Sequence, residues 1–384
     1  MKLRIITAAA MLALLAGCSG NVQPETPPKE LKDFQASVDL KGEWSQDIGS
    51  LSRARYPIRP TISGDTIFAA SADGHLKAID IDSGEVRWEK QLDMPVSSAL
   101  TSDAGRLYFG TRNGEVVALD QQNGDVAWHT RVSSEVLAAP QLNSGLVVVQ
   151  SVDGALTALD RFNGEQAWTY SSSQPALTLR GTGTPRTIEP VSFAGFANGR
   201  LAAFDNRNGQ QLWDIRVAIP QGRTEVEQLV DLDGQPVLTQ DGRLFVTSYN
   251  GRIMALDART GQPIWQRDES SYLTPALVGD FLFTVNAKSD VMALDANTGH
   301  VLWKQDALEG RSLTSPTFVD GKLAFGDYQG YVHLLDAKSG ELAGRASIGG
   351  DGVNVQLLSD GHQLFVLSND GELVAYAIDE ITRS

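Results

Sequence analysis

Ala255-Leu256-Asp257-Ala258-Arg259-Thr260-Gly261-Gln262-Pro263-Ile264-Trp265 is the stretch from which the fold of this chain can be read. An apolar run ends in Asp, a Gly follows four residues later, and a Trp stands eight residues after the Asp. The same spacing recurs from one end of the chain to the other. Asp80, Asp120, Asp160, Asp205, Asp257, Asp295 and Asp336 are followed at plus four by Gly84, Gly124, Gly164, Gly209, Gly261, Gly299 and Gly340. Trp88, Trp128, Trp168, Trp213, Trp265 and Trp303 occupy plus eight, and Gly344 replaces the Trp in the last of these units. Trp44 is the one Trp outside this register.

Each unit reads as a β-hairpin. Upstream of the Asp lies an alternating or apolar strand such as Gly114-Glu115-Val116-Val117-Ala118-Leu119, usually opened by Asn-Gly or Asp-Gly. Those pairs supply the positive φ angles of a two-residue hairpin turn. The Asp side chain can accept hydrogen bonds from the following turn, where the Gly takes a left-handed conformation without steric cost. The Trp then falls on the next strand, a large ring with one polar N–H, suited to packing between sheets.

Successive Asp residues are 40, 40, 45, 52, 38 and 41 positions apart. Repeats of roughly 40–50 residues with several short strands each point to propeller blades, and no long 3.6-residue apolar periodicity supports helical repeats. An eighth unit is incomplete: Gly371-Glu372-Leu373-Val374-Ala375-Tyr376 reads as its third strand, Ala377 stands where Asp is expected, and no Trp follows. Trp44 has no motif Asp before it, so the strand around Leu40–Asp47 is expected to be the missing outer strand of that last blade. The expectation is an all-β, eight-bladed propeller of four-stranded antiparallel blades spanning residues 39–384 as one domain, its last blade closed by the N-terminal strand.

The pattern Ala-x-Asp-x-x-Thr-Gly-x-x-x-Trp, complete in Ala255–Trp265 and Ala293–Trp303, resembles the tryptophan-docking motif of pyrroloquinoline-quinone-type propellers. That superfamily includes quinoprotein dehydrogenases and non-enzymatic members, so the resemblance implies the fold and leaves the function open.

The N-terminus adds a location. Residues 1–17 read as a signal peptide: Lys2 and Arg4 precede the apolar run Ile5–Leu15, too short to span a bilayer. Leu15-Ala16-Gly17-Cys18 looks like a bacterial lipobox, which implies lipidation of Cys18, the only Cys of the chain. Ser19 after it resembles the signal for release to the outer membrane. Residues 18–38, with Pro24, Pro27 and Pro28, read as the lipidated Cys and a flexible tether, about 20 residues reaching on the order of 25 Å. The chain carries a net charge of −15, and loss of Lys2 and Arg4 makes it more acidic still, which argues against nucleic acid as a partner.

Catalytic chemistry is hard to find. His75, His129, His300, His333 and His362 lie in different repeats without ligand-like spacing. No nucleophile elbow, phosphate loop or zinc motif is present. Asp231-Leu232-Asp233-Gly234 begins like a calcium loop but lacks its later acidic positions. Quinoprotein dehydrogenases typically carry an adjacent-cysteine disulfide, which a single Cys cannot make. The expectation is therefore no catalytic residue, no cofactor and no metal. A quinone-dependent periplasmic dehydrogenase and a periplasmic ligand-binding propeller remain as alternatives.

Function is best sought where the repeat is broken. Most blades are expected to open their first strand at a Pro (Pro60, Pro140, Pro190, Pro236, Pro275, Pro316), 10, 12 or 13 residues after the preceding Trp265, Trp128 or Trp303. From Trp168 to Pro190 the distance is 22, and from Trp213 to Pro236 it is 23. These two insertions are consecutive, and in antiparallel blades both rise from the face opposite the Asp-to-Trp turns. Rigid scaffolds usually carry binding on such loops. The first contains Leu177-Thr178-Leu179-Arg180-Gly181 and the second Val230-Asp231-Leu232-Asp233. Apolar anchors beside charges suit a protein contact. The competing reading is that the Leu residues pin their own loop and the Asp residues cap turns.

The lipobox, the Pro-rich tether, eight docking-motif blades, the Leu-x-Leu-Arg-Gly loop and the Asp-x-Asp segment together resemble the BamB family, lipoprotein propellers of the outer-membrane β-barrel assembly (BAM) machinery. The resemblance implies a non-catalytic scaffold at the periplasmic face of the outer membrane. It would bind the POTRA domains of BamA through Leu177, Leu179, Arg180, Asp231 and Asp233, beside the other BAM lipoproteins. Unfolded outer-membrane protein precursors are a further partner it implies. Ala377 and Gly344 depart from the repeat, both in the closing blades.

Overall fold

The computed structural model describes residues 26–51, 56–179 and 183–381. The expected signal peptide, Cys18 and Arg180 lie outside the described residues. Eight four-stranded antiparallel sheets follow one another in chain order, and no α-helix occurs among the described residues. Blades 1 to 7 are built from residues 61–91, 101–131, 141–171, 186–216, 237–268, 276–305 and 317–347. In blade 8 the strands Leu358–Ser359, Leu364–Leu367 and Glu372–Glu380 run outward from the axis, and Val38–Asp47 completes the sheet as its outer strand. The two ends of the chain thus close the ring, as the lone Trp44 predicts, with Trp44 opposite Ala375 just after a bulge.

The repeated Trp is the joint between blades. Its indole N–H donates across the interface to the carbonyl of the residue after the motif Asp in the next blade. The bonds are Trp44 to Ile81 (3.1 Å), Trp88 to Gln121 (2.9 Å), Trp128 to Arg161 (3.1 Å) and Trp168 to Asn206 (2.7 Å). Trp213 to Ala258 (3.1 Å), Trp265 to Ala296 (2.9 Å) and Trp303 to Ala337 (3.2 Å) complete the series. The motif Gly of the receiving blade lies flat against the same ring. A Cβ on Gly84 would sit 2.6 Å from Trp44 and one on Gly209 would sit 2.7 Å from Trp168. Both glycines also have φ near +70°. The motif therefore requires Gly twice over, for its backbone and for its neighbour.

Within each blade the Ala of the motif makes room for that Trp. Three strands align Phe68, Ala78 and Trp88 in blade 1, and Phe245, Ala255 and Trp265 in blade 5. Their aromatic rings meet over the small Ala at 5.9 and 6.1 Å. Blade 7 inverts the sizes, aligning Ala324, Leu334 and Gly344, so that Leu334 fills the space the Trp leaves. The two departures noted in the sequence are then two halves of one missing joint. Blade 7 offers no Trp, and blade 8 has no Asp–Gly turn to receive one. Val38 packs on Gly344 instead, and Ser37 donates its N–H to the Ala343 carbonyl at 2.8 Å.

The core lies between blades: Phe193, Leu201, Leu244 and Met254 between blades 4 and 5, for example, and Phe245, Ile253, Leu282 and Met292 between blades 5 and 6. Each of these side chains contributes about 1.5–3 kcal/mol by leaving water.

The Pro-rich segment differs from the expected free tether over its described part. Lys29 donates its N–H to Glu309 (2.9 Å) and pairs through Nζ with Asp306 (3.0 Å) and Glu309 (3.1 Å). Leu31 packs on the core of blades 6 and 7. Arg345 donates to the Lys32 carbonyl and lies 4.9 Å over the Phe34 ring. Beneath this strap, Arg311 pairs with the buried Asp327 (2.6 Å), which also binds His333 (2.9 Å). Pro content argues for an extended chain, and that chain is pinned wherever its side chains find partners on the blades.

The motif carboxylates make a pH prediction. The Asp257 side chain accepts from the N–H and hydroxyl of Thr260, and Asp295 from the hydroxyl and N–H of Thr298, which hold both below the usual carboxylate range. The Arg207 guanidinium and N–H pull Asp205 down to about 2. A folded value below the unfolded one gives stabilisation that is present above the unfolded value, about 4, and is lost as pH falls through the folded value. Thermal melts should therefore hold steady from about pH 5 to 7 and fall steeply from about pH 4 towards 2.

Candidate partner-binding face

The two insertions meet. The first runs from residue 172 to 185 and the second from 217 to 236. Leu179 donates its N–H to Asp231 Oδ1 at 2.8 Å, binding one loop to the other. Leu232 of the second insertion is buried against blade 4, where a Cβ on Gly195 would lie 2.6 Å from the Leu232 Cβ, and its backbone meets the first insertion, where a Cβ on Gly183 would lie 3.3 Å from the Leu232 carbonyl. The first insertion is shorter than the sequence reading gave it. The first strand of blade 4 is Arg186–Thr187, and Pro190 falls in the turn after it, so Pro185 and not Pro190 opens the blade. That leaves 17 residues from Trp168 to Pro185, still longer than the 10 to 13 of the other connections measured.

The expected contact residues divide. Leu177 is 40% exposed, and Leu179 is half-buried. Asp231 is fully buried and Asp233 half-buried. The backbone carbonyl of Asp231 also accepts from Tyr249 N–H (2.9 Å), so Asp231 works from within, positioning the loops. Asp231 is structural and the Leu179 backbone is tied to it from the other loop, while Leu177 faces solvent.

Sequence reasoning missed two further apolar groups, Ile219 (49% exposed) and Val226 (58% exposed), on the tip of the second insertion. The tip is shaped by a capping box. Glu227 accepts from the N–H groups of Arg223 (2.7 Å) and Thr224 (3.0 Å), while Thr224 Oγ1 accepts from Glu227 N–H (3.2 Å). Thr-x-x-Glu at 224–227 was the available signal. Thr26 of the strap lines the same depression as Gln221 and Val226, which brings the N-terminal segment beside the second insertion.

Burial pushes the Asp231 carboxyl up, opposite in sign to the motif aspartates. Its charged form is disfavoured in the fold, so the stability it contributes is present below its unfolded value and is lost as pH rises through its folded one. What matters at this position is the acceptor. Asp231→Asn, which keeps Oδ1, should melt at or above the parent at pH 7. Asp231→Ala strands the Leu179 N–H and should cost about 1 kcal/mol or more in denaturant titrations.

The geometry defines a class: a tryptophan-docked, eight-bladed propeller with one raised, partly apolar face. The family model described as outer membrane protein assembly factor BamB matches residues 36–102, 72–305 and 287–383. The outer membrane protein assembly factor BamB of Pseudomonas aeruginosa is 48% identical over 374 residues, 96% of this chain and 98% of that one. The crystal structure of BamB from Moraxella catarrhalis superposes with a TM-score of 0.80 at 27% identity, covering 88% of this chain and 99% of that one. The chain belongs to the BamB family.

A quinohemoprotein alcohol dehydrogenase from Pseudomonas putida also superposes, with a TM-score of 0.70 at 12% identity over 90% of this chain and 77% of that one, a likeness of fold alone. The residues present do not fit a quinone and calcium. The described residues hold no cluster of three His, Cys, Asp or Glu side chains that could bind a metal ion. The axial cavity, about 160 Å³, is small beside the roughly 300–1,000 Å³ of ordinary cofactor sites. The sequence has no second Cys for the disulfide of those enzymes. By family the chain is an assembly-factor propeller.

Proposed function

We propose that this chain is a non-catalytic scaffold of the BAM machinery that binds the POTRA domains of BamA through the face carrying its two insertions. Lipid on Cys18 anchors it to the periplasmic face of the outer membrane, where it holds BamA in an arrangement that assists folding and insertion of outer-membrane proteins. The Leu179–Asp231 bond carries this reading, because it makes two consecutive insertions into one rigid unit presenting Leu177, Ile219 and Val226. Isolated exposed apolar residues are ordinary on a protein surface, but three on two insertions bonded to each other match the anchors of protein contacts. Leu177 and Leu179, with Arg180, form the first half of the contact. Asp233 flanks it, and Asp231 acts by positioning Leu179. The strap over blades 6 and 7 shortens the free tether and sets the side of the disc from which it leaves. Affinity purification from detergent-solubilised envelopes tests the proposal. The parent should bring down BamA, and a Leu177→Asp, Leu179→Asp double variant that folds normally should not.

A further inference from the structure

The strap over blades 6 and 7 rests on a buried histidine. His333 and Asp327 are fully buried, and Arg311 is nearly so. The imidazole is held between an acceptor and a donor. Its Nε2 lies 2.9 Å from Asp327 Oδ2, and Arg345 donates its Nε–H to the His333 Nδ1 at 3.4 Å. A carboxylate on one side and a guanidinium N–H on the other admit one form of the ring, the neutral tautomer with its proton on Nε2. The two arginines beside this ring also hold the strap. Arg345 donates to the Lys32 carbonyl (3.2 Å) and covers the Phe34 ring, while Arg311, bound to Asp327, donates to the Lys29 carbonyl (3.4 Å).

The charged and titratable groups that face His333 are Asp327, Arg311 and Arg345, with the Tyr331 ring 6.1 Å away, and Asp33 of the strap acts on Arg345 in turn. One carboxylate thus stands against two guanidinium groups while the imidazole is neutral. A second proton would sit on Nδ1, aimed at the Arg345 N–H, and would add a third positive charge where water cannot screen it. Arg345 is the half-buried member of the group, so it is the one free to turn towards solvent, and its hold on Lys32 and Phe34 goes with it. Burial, with the two arginines behind it, keeps His333 below its ordinary value against the opposing pull of Asp327.

We propose that protonation of His333 releases the strap from blades 6 and 7, making the N-terminal segment a pH-governed latch. The docked state binds fewer protons than the released one. Docking is therefore at full strength above about pH 6.5, where a water-exposed imidazole is neutral, and weakens by up to about tenfold per pH unit below it. Release changes the reach of the chain. Cys18 lies eleven residues before Lys29 and twenty before Val38, where the closing strand begins. At about 3.5 Å per residue the free length grows from at most about 40 Å to at most about 70 Å. That consequence rests on the lipid anchor proposed above, whereas the latch itself does not. Spin-label distance measurements on the purified lipidated protein in detergent test it, with labels at Glu30→Cys in the strap and Lys338→Cys on an exposed turn of blade 7. Lys29→Ala is added to this background, because loss of its ion pairs with Asp306 and Glu309 brings docking within measurable range. A narrow distance should dominate at pH 7.5, and a broad, longer component should grow reversibly by at least about fivefold at pH 5.5. Both values lie above the range in which the motif carboxylates titrate, so the blades stay folded. His333→Gln, which offers a donor and an acceptor but takes up no proton, should keep the narrow distance at both. Arg345→Gln, at a half-buried position, removes the N–H opposed to Nδ1, so whatever docking remains should change less than about twofold between them. Distances that do not respond to pH in the Lys29→Ala protein, release at pH 5.5 in a folded His333→Gln protein, or an undiminished response in Arg345→Gln would each overturn the proposal.

Discussion

Trp168→Ala is expected to lower the free energy of unfolding by about 3–5 kcal/mol, the range for removing a large buried aromatic side chain. Trp168 is 6% exposed and sits in a cluster with Val148, Phe196 and Phe204. Its loss also strands the Asn206 carbonyl that its indole serves. The cost is a large share of the roughly 5–15 kcal/mol that holds ordinary domains together. Gly209→Ala should be destabilising for the complementary reason, since its Cβ would meet the Trp168 ring at 2.7 Å with the backbone at φ +70°. The diagnostic result is their combination. With the ring gone the added methyl has space, so the double variant should cost less than the two singles added together, and only the backbone term of Gly209→Ala should remain. Denaturant titration of the four proteins measures it. Strict additivity would mean that the Trp and the Gly of the next blade do not form one joint.

That joint shows how far the sequence can be read. Asp, Gly and Trp at fixed spacing announce both turn chemistry and a ring that must pack on something, and a lone Trp44 near one end implies closure at the other. Blade count, strand order and the closing strand follow from spacing alone. The destination of each indole N–H does not follow, because it bonds across to a different blade, and such a contact leaves no local pattern. The pairing of Gly344 with the missing turn near Ala377 is visible only once Leu334 is seen filling the space between Ala324 and Gly344. The strap was misjudged for the same reason. Its partners Asp306, Arg311 and Arg345 are roughly 280 to 310 residues away along the chain.

The face that carries the two insertions was half legible. Excess length in two consecutive connections marked the two insertions that the fold raises on one face, although Pro190 gave the wrong boundary because a Pro in the turn after a short first strand looks like one before it. Leu177 could be named because it stands with Leu179 and Arg180 in a connection longer than the others. Asp231 was placed beside Leu177 as a surface charge, yet it lies beneath the loops, since the sequence does not say which way an Asp faces when Val230 and Leu232 on either side are both buried. Ile219 and Val226 were passed over because no unusual residue accompanied them; only the capping box at Thr224 and Glu227 orders their loop.

If those loops are the contact, their apolar tips should behave as hot spots. Leu177→Asp alters a side chain that is already 40% exposed, and Val226→Asp one that is 58% exposed, so neither should disturb the propeller. Each would place a charge where an apolar anchor must lose its water, at a cost of about 2 kcal/mol or more and therefore at least about 25-fold in affinity. Phe162→Asp, on the turn face of blade 3 and 68% exposed, is the matched control and should bind as the parent does. The decisive measurement is a calorimetric titration of the purified protein with the isolated POTRA domains of BamA, comparing the parent, Leu177→Asp, Val226→Asp and Phe162→Asp. Saturable binding by the parent and by Phe162→Asp, lost in the two loop variants while their melting curves stay unchanged, is the result this account predicts. Absence of binding by the parent, or undiminished binding by a Leu177→Asp, Val226→Asp double variant, would contradict it.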